Sequence, residues 1–249
     1  MKILGIIQAR IGSTRLPNKV LLDLEGKSVL EHVILRLSRS KLISEVVVAT
    51  TIKKQDLAIV RLCANRDFSV FCGSENDVLD RFYQVAKLFE PDHIVRITAD
   101  CPLMDREIID KVIQKHLAED TDYTANILEA TFPDGEDVEV FKFKTLIKAW
   151  RNASLSSERE HVTPYIRKHQ ELFKQANLVS LENLSTKRWT LDNKEDYEFI
   201  REIYKYLYNH KISYQPRLVN PTPILPALGF IEFLMPLLNN SFSVIYCRT

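Results

Sequence analysis

The sequence predicts an α/β fold, a doubly wound and mostly parallel sheet with helices on both faces. Three observations predict it. Short apolar or β-branched runs alternate with longer segments whose apolar residues recur at helical spacing. The segments between successive runs are long enough for the crossover helices that parallel pairing requires. Turn-forming or polar segments follow the runs at residues 10–19, 50–51 and 99–102, which places all three at the carboxyl edge of one sheet, where such folds bind ligands.

Each element has its own signal. Residues 3–7 form an apolar run and read as a buried strand. Residues 28–40 set Val29, Leu30, Val33, Ile34 and Leu37 on one helical stripe, and 45–51 is a β-branched strand. Residues 55–65 are helical and 68–71 form a short strand. Residues 76–89 carry Val78, Leu79, Phe82, Val85, Ala86 and Phe89 at helical spacing, and 93–98 is a strand. Asp105 caps a helix that buries Ile108, Ile109, Val112 and Ile113. Farther on, 138–143 reads as a strand. Residues 187–192 read as another ending in Asp192, with 193–196 opening a helix over 197–208.

A chain of 249 residues can bury one large core, or one core plus a small appendage. The expected division is a main domain over 1–208, with a lid and acceptor region at about 125–185, and an extension over 209–249. That extension is apolar and proline-rich. Its run 224–238 is interrupted by Pro226, Gly229, Glu232 and Pro236, and a spanning helix needs about 20 predominantly apolar residues. Lysine plus arginine (34) nearly balance aspartate plus glutamate (33). No global field therefore recruits nucleic acid or anionic lipid, and any anion must be gathered locally. The four cysteines form no C-x-x-C pair, and the N-terminus shows no signal-peptide pattern. A reduced, cytoplasmic setting is the expectation.

The most informative stretch is residues 6–19. A buried strand breaks into a loop holding Arg10, Arg15 and Lys19, with Gly12, Ser13 and Thr14 between them and Leu16-Pro17 at its exit. Three cations can surround a polyphosphate while Gly12, Ser13 and Thr14 offer small side chains and backbone N–H groups for close approach. The spacing is neither Walker A nor G-x-G-x-x-G. A surface turn with solvated charges is the plainer alternative. The second marker is Asp100, at the end of a central strand before the stiff Cys101-Pro102 turn. It suits a Mg²⁺ ligand, since Mg²⁺ takes one or two carboxylates plus phosphate oxygens and water; it would equally cap the turn. Asp192, the third marker, competes with Asn193 for an N-cap role.

These three segments, in this order, resemble the cytidylyltransferase family of the spore-coat-polysaccharide type, related to the CMP-Kdo and CMP-neuraminate synthetases. The resemblance covers roughly residues 1–208 and implies a nucleotide-diphospho-sugar-transferase-like fold. It implies Mg²⁺ held by Asp100 and Asp192, although Asn193-Lys194 stand where the family usually has Thr-Pro. It implies a nucleotide site of Ala9, Arg10, Gly12, Ser13, Thr14, Arg15, Lys19 and Thr98, with Gly73 and Ser74 near the base and ribose. Arg10, Lys19 and Asp100 are the residues expected to act in catalysis.

Residues 132–140 and 157–165 are similar to stretches of the spore-coat branch. Asp134 and Asp137 are acceptor candidates there, although Asp134-Gly135 is a turn signal first. Arg159 suits an acidic sugar's carboxylate by its bidentate fork, with His161 as a possible base beside it; Arg159 would equally be salt-bridged on its own helix. The resemblance implies transfer of CMP from CTP to a 2-keto acid type sugar with release of pyrophosphate, and a homodimer closed by the lid half. Two other classes stay open: transfer from another triphosphate to a sugar 1-phosphate, and a non-catalytic nucleotide-binding module of a glycan pathway.

Overall fold

The computed structural model describes residues 1–209; the expectations for the extension beyond them lie outside the described residues. The first half contains β1 (Ile3–Gln8), β2 (Asp23–Leu24), β3 (Lys27–Ser28), α1 (Val29–Leu37), β4 (Glu45–Thr51), α2 (Leu57–Asn65), β5 (Ser69–Gly73), α3 (Val78–Phe89), β6 (His93–Thr98) and α4 (Arg106–Ala118). The second half contains β7 (Tyr123–Ala125), β8 (Glu139–Lys142), α5 (Phe143–Asn152), α6 (Ser156–His161), α7 (Pro164–Lys168), β9 (Gln175–Asn177) and α8 (Lys194–Asn209).

Seven strands form one sheet in the order β5-β4-β1-β6-β8-β7-β9. Every pairing is parallel except those of β8, which runs against both β6 and β7. The doubly wound, mostly parallel expectation therefore holds. Strand order reverses around β1, which lies between β4 and β6. β1 and β6 end side by side there, with Gln8 beside Thr98, at the carboxyl edge where such sheets bind ligands.

Alternation along the strands divides the core. On one face Ile3, Ile7, Val48, Val95 and Ile97 pack with residues of α1, α2 and α4. On the other, Leu4, Ile6, Val47, Ile94 and Phe141 meet Phe82 of α3, Leu146 of α5 and Ile166 of α7. A third cluster joins Leu24 and Val29 to Trp189, Leu191, Phe199, Ile200 and Tyr204. Residues 125–185 thus supply β8 and β9 to the common sheet and α5 to α7 to its second face.

Local chemistry explains the boundaries. Ser28 and Glu31 form a reciprocal capping box that starts α1. Asp77 caps α3 and Asp105 caps α4. Before α1, Glu25 (φ 52°) and Gly26 (φ 80°) make the tight link between β2 and β3, the positive-φ pair that two-residue hairpins favour.

One expectation is corrected. Residues 187–192 do not form a strand; they make a single bridge, Arg188 with Asp134. Trp189 and Leu191 carry the apolar alternation that suggested a strand, yet they bury against α8 rather than in the sheet. Asn193 then caps α8, accepting the Asp196 N–H at 2.8 Å.

Candidate active site

The loop after β1 is tied down at both ends. The Ala9 N–H donates to the Ala49 carbonyl at 3.1 Å, and the Ile11 N–H donates to Asp56 Oδ1 at 2.7 Å. Asp56 is buried and also accepts from the Thr51 hydroxyl. Ser13 Oγ accepts the Leu16 N–H at 3.3 Å, which turns the chain toward Lys19. Among the described residues no acceptor takes the amides of Gly12, Thr14 and Arg15, so donors remain for an anion.

Lys19 is the centre of the site. Its ammonium donates to Asp100 Oδ2 at 2.6 Å and to Asp192 Oδ1 at 2.9 Å. Its side chain is 13 % exposed, against 22 % for Asp100 and 17 % for Asp192. Burial would lower the lysine pKa, but Asp100 and then Asp192 outweigh it and raise it. Burial would raise Asp192; hydrogen bonds from Lys19 and Arg188, then the charges of Lys19 and Arg15, hold it low instead. Lys19 is therefore an ammonium locked between two carboxylates. Arg15 reaches the same Asp192 oxygen at 3.1 Å. Arg10 is exposed and has no ion-pair partner among the described residues.

The Asp192 backbone is fixed from two sides. The Leu191 N–H donates to the Asp100 carbonyl at 2.8 Å, and Asp196 Oδ2 accepts the Asp192 N–H at 2.9 Å. Arg188 then joins three carboxylates, Asp134 at 2.6 Å, Asp192 at 2.7 Å and Asp196 at 3.3 Å. Burial alone would lower the Arg188 pKa; Asp196, Asp192 and Asp134 raise it instead. Asp134 is raised, by desolvation first and by Asp192 and Asp100 beyond what Arg188 returns. Asp137 is exposed. Desolvation and the like charges of Asp134 and Glu139 raise its carboxyl to about 6, a shift that its contact with solvent tempers.

Glycine is required where the 133–138 loop docks. Gly135 has φ +109°, and a Cβ there would lie 2.6 Å from the Thr190 nitrogen and the Trp189 carbonyl carbon. Next to it, buried Glu136 accepts the Asp105 N–H at 2.8 Å, and desolvation pushes its carboxyl far above the ordinary range. Gly135→Ala is expected to cost about 2–4 kcal/mol and to lower turnover by displacing Asp134 from Arg188. Urea denaturation checks this: an unchanged midpoint would contradict the close docking.

The base and ribose segment is built differently from the loop. Ser74 Oγ accepts the Asp77 N–H at 3.1 Å, and its carbonyl accepts from Arg81 Nη1 at 2.5 Å. A Cβ on Gly73 would stand 2.9 Å from Arg81 Cγ. Arg81 is buried, and among the described residues its Nε and Nη2 find no acceptor. Burial and then the charge of Arg10 lower its pKa to about 10. Thr98 is half-buried at the end of β6, with its hydroxyl 3.3 Å from Cys101 Sγ.

The structure therefore brings together Arg15, Lys19, Asp100, Asp134 and Asp192. It does not bring Arg159 to them. Arg159 Nε and Nη2 donate to Asp77, and Nη1 donates to the Trp150 carbonyl at 2.7 Å. That fork ties α6 to the start of α3, so Arg159 is engaged there rather than at the Lys19 cluster. His161 stays exposed at the end of α6. Sequence reasoning passed over Arg188, Asp56 and Arg81. Arg188 left a faint signal, a cation four residues before Asp192; Asp56 left none, since its contact to Ile11 spans 45 residues.

The donor set suits Mg²⁺. Among the described residues no group of three or more His, Cys, Asp or Glu is arranged for a metal. Asp100 and Asp192 offer two oxygen donors that already share one cation, which leaves the other positions for phosphate and water, as Mg²⁺ prefers.

The profile of the Cytidylyltransferase family matches residues 4–219. Over 210 residues the chain is 40% identical to the spore coat polysaccharide biosynthesis protein SpsF of Bacillus subtilis, covering 82% of this chain and 86% of that one. It is 31% identical over 172 residues to a 3-deoxy-manno-octulosonate cytidylyltransferase of Geotalea daltonii, covering 69% and 67%. The solved structure of a cytidylyltransferase from Leptospira borgpetersenii superposes with a TM-score of 0.83 at 32% identity, covering 99% of this chain and 100% of that one. With that profile spanning most of its length and these relatives beside it, the chain belongs to the cytidylyltransferase family.

Proposed function

We propose that this chain transfers CMP from CTP to an acidic, 2-keto acid type sugar and releases pyrophosphate, in the synthesis of a surface polysaccharide. One observation supports it above the rest. Lys19 of the loop after β1 is bonded at once to Asp100, beyond β6, and to Asp192, before α8. A phosphate-binding loop and a carboxylate pair from three distant segments converge at the reversal of strand order.

In this reading the sugar hydroxyl attacks the α-phosphorus in line and pyrophosphate leaves, so the protein positions and neutralises rather than bonding covalently. The free amides of residues 12, 14 and 15 face the triphosphate. Arg10, Arg15 and Lys19 carry its β- and γ-phosphates and meet the charge that builds on pyrophosphate. Asp100 and Asp192 would hold Mg²⁺, which polarises the α-phosphate and acidifies the attacking hydroxyl when bound. Arg188 keeps Asp192 oriented, and Asp134 keeps Arg188 in place.

Pyrophosphate release from each of the four nucleoside triphosphates, with and without 2-keto sugar acids, tests the proposal. The expected result is release from CTP that depends on the acid. Release driven by a sugar 1-phosphate, or preferentially from another triphosphate, would overturn the acceptor or the nucleotide assignment respectively.

A further inference from the structure

Asp56 is a buried charge in an unfavourable place. It is 1 % exposed and lies behind the loop that the reading above gives to a triphosphate. Its Oδ1 accepts the Ile11 N–H at 2.7 Å, and its Oδ2 accepts from the Thr51 hydroxyl. Both donors are neutral, and among the described residues Asp56 forms no ion pair. A buried carboxylate without a paired cation is costly, and a negative charge behind an anion site repels what the site must hold. Electrostatics alone would not put a carboxylate there, so its use lies in the bonds it accepts.

The loop hangs on Ile11. Its N–H goes to Asp56, its carbonyl accepts the Ser13 N–H at 2.7 Å, and its side chain packs in the core. Ser13 Oγ then accepts the Leu16 N–H at 3.3 Å, three residues before Lys19. With both backbone polar groups of Ile11 engaged, the turn around Gly12 starts in a fixed direction. The oxygen that receives the Ile11 N–H thereby sets where the amides of Gly12, Thr14 and Arg15 point.

The carboxylate is itself held from outside the loop. Asp56 ends a short 3-10 turn, Lys54–Asp56. Its N–H donates to the Lys53 carbonyl at 2.9 Å, and the Lys53 N–H donates to Thr51 Oγ1 at 3.1 Å. Gln55 lies against Gly12: a Cβ on that glycine would stand 3.2 Å from Gln55 Nε2. On its other side the turn is bound to the end of β5. The Ile52 N–H donates to the Gly73 carbonyl at 3.2 Å, and Lys53 pairs with Glu75 at 2.5 Å. The turn is thus a floor anchored on the sheet, and the loop is set upon it.

We infer that Asp56 is a positioning residue for triphosphate binding: through the Ile11 N–H it presets the loop, so that its free amides and Lys19 meet the β- and γ-phosphates without reordering. The inference rests on the triphosphate reading of the loop and deepens it. Asp56 acts through Ile11 and not by touching phosphate, from which its burial separates it. The competing role is that of a counter-charge, since Asp56 acts on the buried Arg81 guanidinium. The two roles answer differently to substitution. Asparagine keeps an acceptor oxygen for Ile11 and loses the charge; alanine loses both.

Calorimetric titration of wild type, Asp56→Asn and Asp56→Ala with CTP, CMP and inorganic pyrophosphate at fixed Mg²⁺, beside thermal unfolding of each, tests this. Asp56→Ala is expected to weaken CTP and pyrophosphate about tenfold or more and CMP by no more than about twofold, because the loss falls on the outer phosphates. Asp56→Asn should stay within about threefold of wild type for all three ligands. Equal losses in Asn and Ala variants would make Asp56 a counter-charge and overturn the inference. Equal losses for CTP and CMP would also overturn it, as would a folded Asp56→Ala that binds CTP and pyrophosphate like wild type. If Asp56→Ala does not fold, Thr51→Val carries the test. It removes one of the two bonds that orient the carboxylate and should weaken CTP and pyrophosphate about two- to tenfold while sparing CMP; unchanged affinities would overturn the inference. A wild type that binds pyrophosphate but not CTP overturns the nucleotide reading, and the pyrophosphate titrations then decide the role of Asp56. A wild type that binds neither overturns both.

Discussion

Asp100→Asn is expected to lower CMP transfer by about a hundred- to a thousandfold or more while leaving the fold and measurable CTP binding in place. The substitution is isosteric, and the contact that docks the Leu191 N–H uses the backbone carbonyl of residue 100, which stays. What is lost is charge. Asparagine is a neutral, weaker oxygen donor for Mg²⁺, and each 1.36 kcal/mol of lost transition-state stabilisation is a factor of ten. Lys19 loses its shorter partner too and falls back on Asp192. The split is diagnostic: kcat should fall far more than the roughly tenfold in Mg²⁺-assisted CTP affinity that is lost with the carboxylate, which marks an interaction that matters most in the transition state. Near-normal turnover at saturating Mg²⁺ would show that Asp100 serves only to position Lys19.

Lys19→Ala should separate two properties that the same ammonium couples. For the nucleotide the change is a loss. One charge-assisted contact to phosphate contributes about 1.5–3 kcal/mol, so the Kd for CTP should rise about ten- to a hundredfold, with a further fall in rate from unneutralised pyrophosphate. For a divalent cation without nucleotide the change is a gain. In the free protein the ammonium occupies the place between Asp100 and Asp192, and its removal leaves two carboxylates whose repulsion a metal would relieve. Titration of Mn²⁺ in the absence of CTP, followed by electron paramagnetic resonance, should show tighter binding to Lys19→Ala than to wild type. Weaker binding would mean that the two carboxylates are not a shared cation site.

The sequence disclosed those parts of the fold whose signals are local. The β-branched run at 45–51 and the strand at 93–98 appear with the expected limits, and Asp105 caps α4 as its position suggests. Three-residue strands such as β7 and β9 are too short for periodicity to register, and they exist because the sheet beside them is already formed. At 187–192 an alternating pattern was genuine, but alternation reports which side is buried and not what buries it; α8, rather than a strand, covers Trp189 and Leu191. The site shows the same division. The cations of the first loop and both carboxylates were marked by residue type and tied to one site by the family resemblance, and the structure places Arg15, Lys19, Asp100 and Asp192 within ion-pair distance of one another. The salt-bridge partner of Arg159 was not legible, because Asp77 lies 82 residues away, whereas the partners weighed were its sequence neighbours. Glu158 instead accepts the Ser154 N–H at 3.2 Å at the start of its own helix.

Calorimetric titration of CTP with and without Mg²⁺, on wild type and on Asp100→Asn, tests most directly whether the Lys19, Asp100 and Asp192 cluster is the metal–triphosphate site. Wild type should bind CTP more tightly than UTP, GTP or ATP. Mg²⁺ should strengthen its CTP binding about tenfold or more, a gain of about 1.4 kcal/mol, and Asp100→Asn should lose most of that gain. A wild type indifferent to Mg²⁺, or an Asp100→Asn protein that keeps the whole gain, would contradict it.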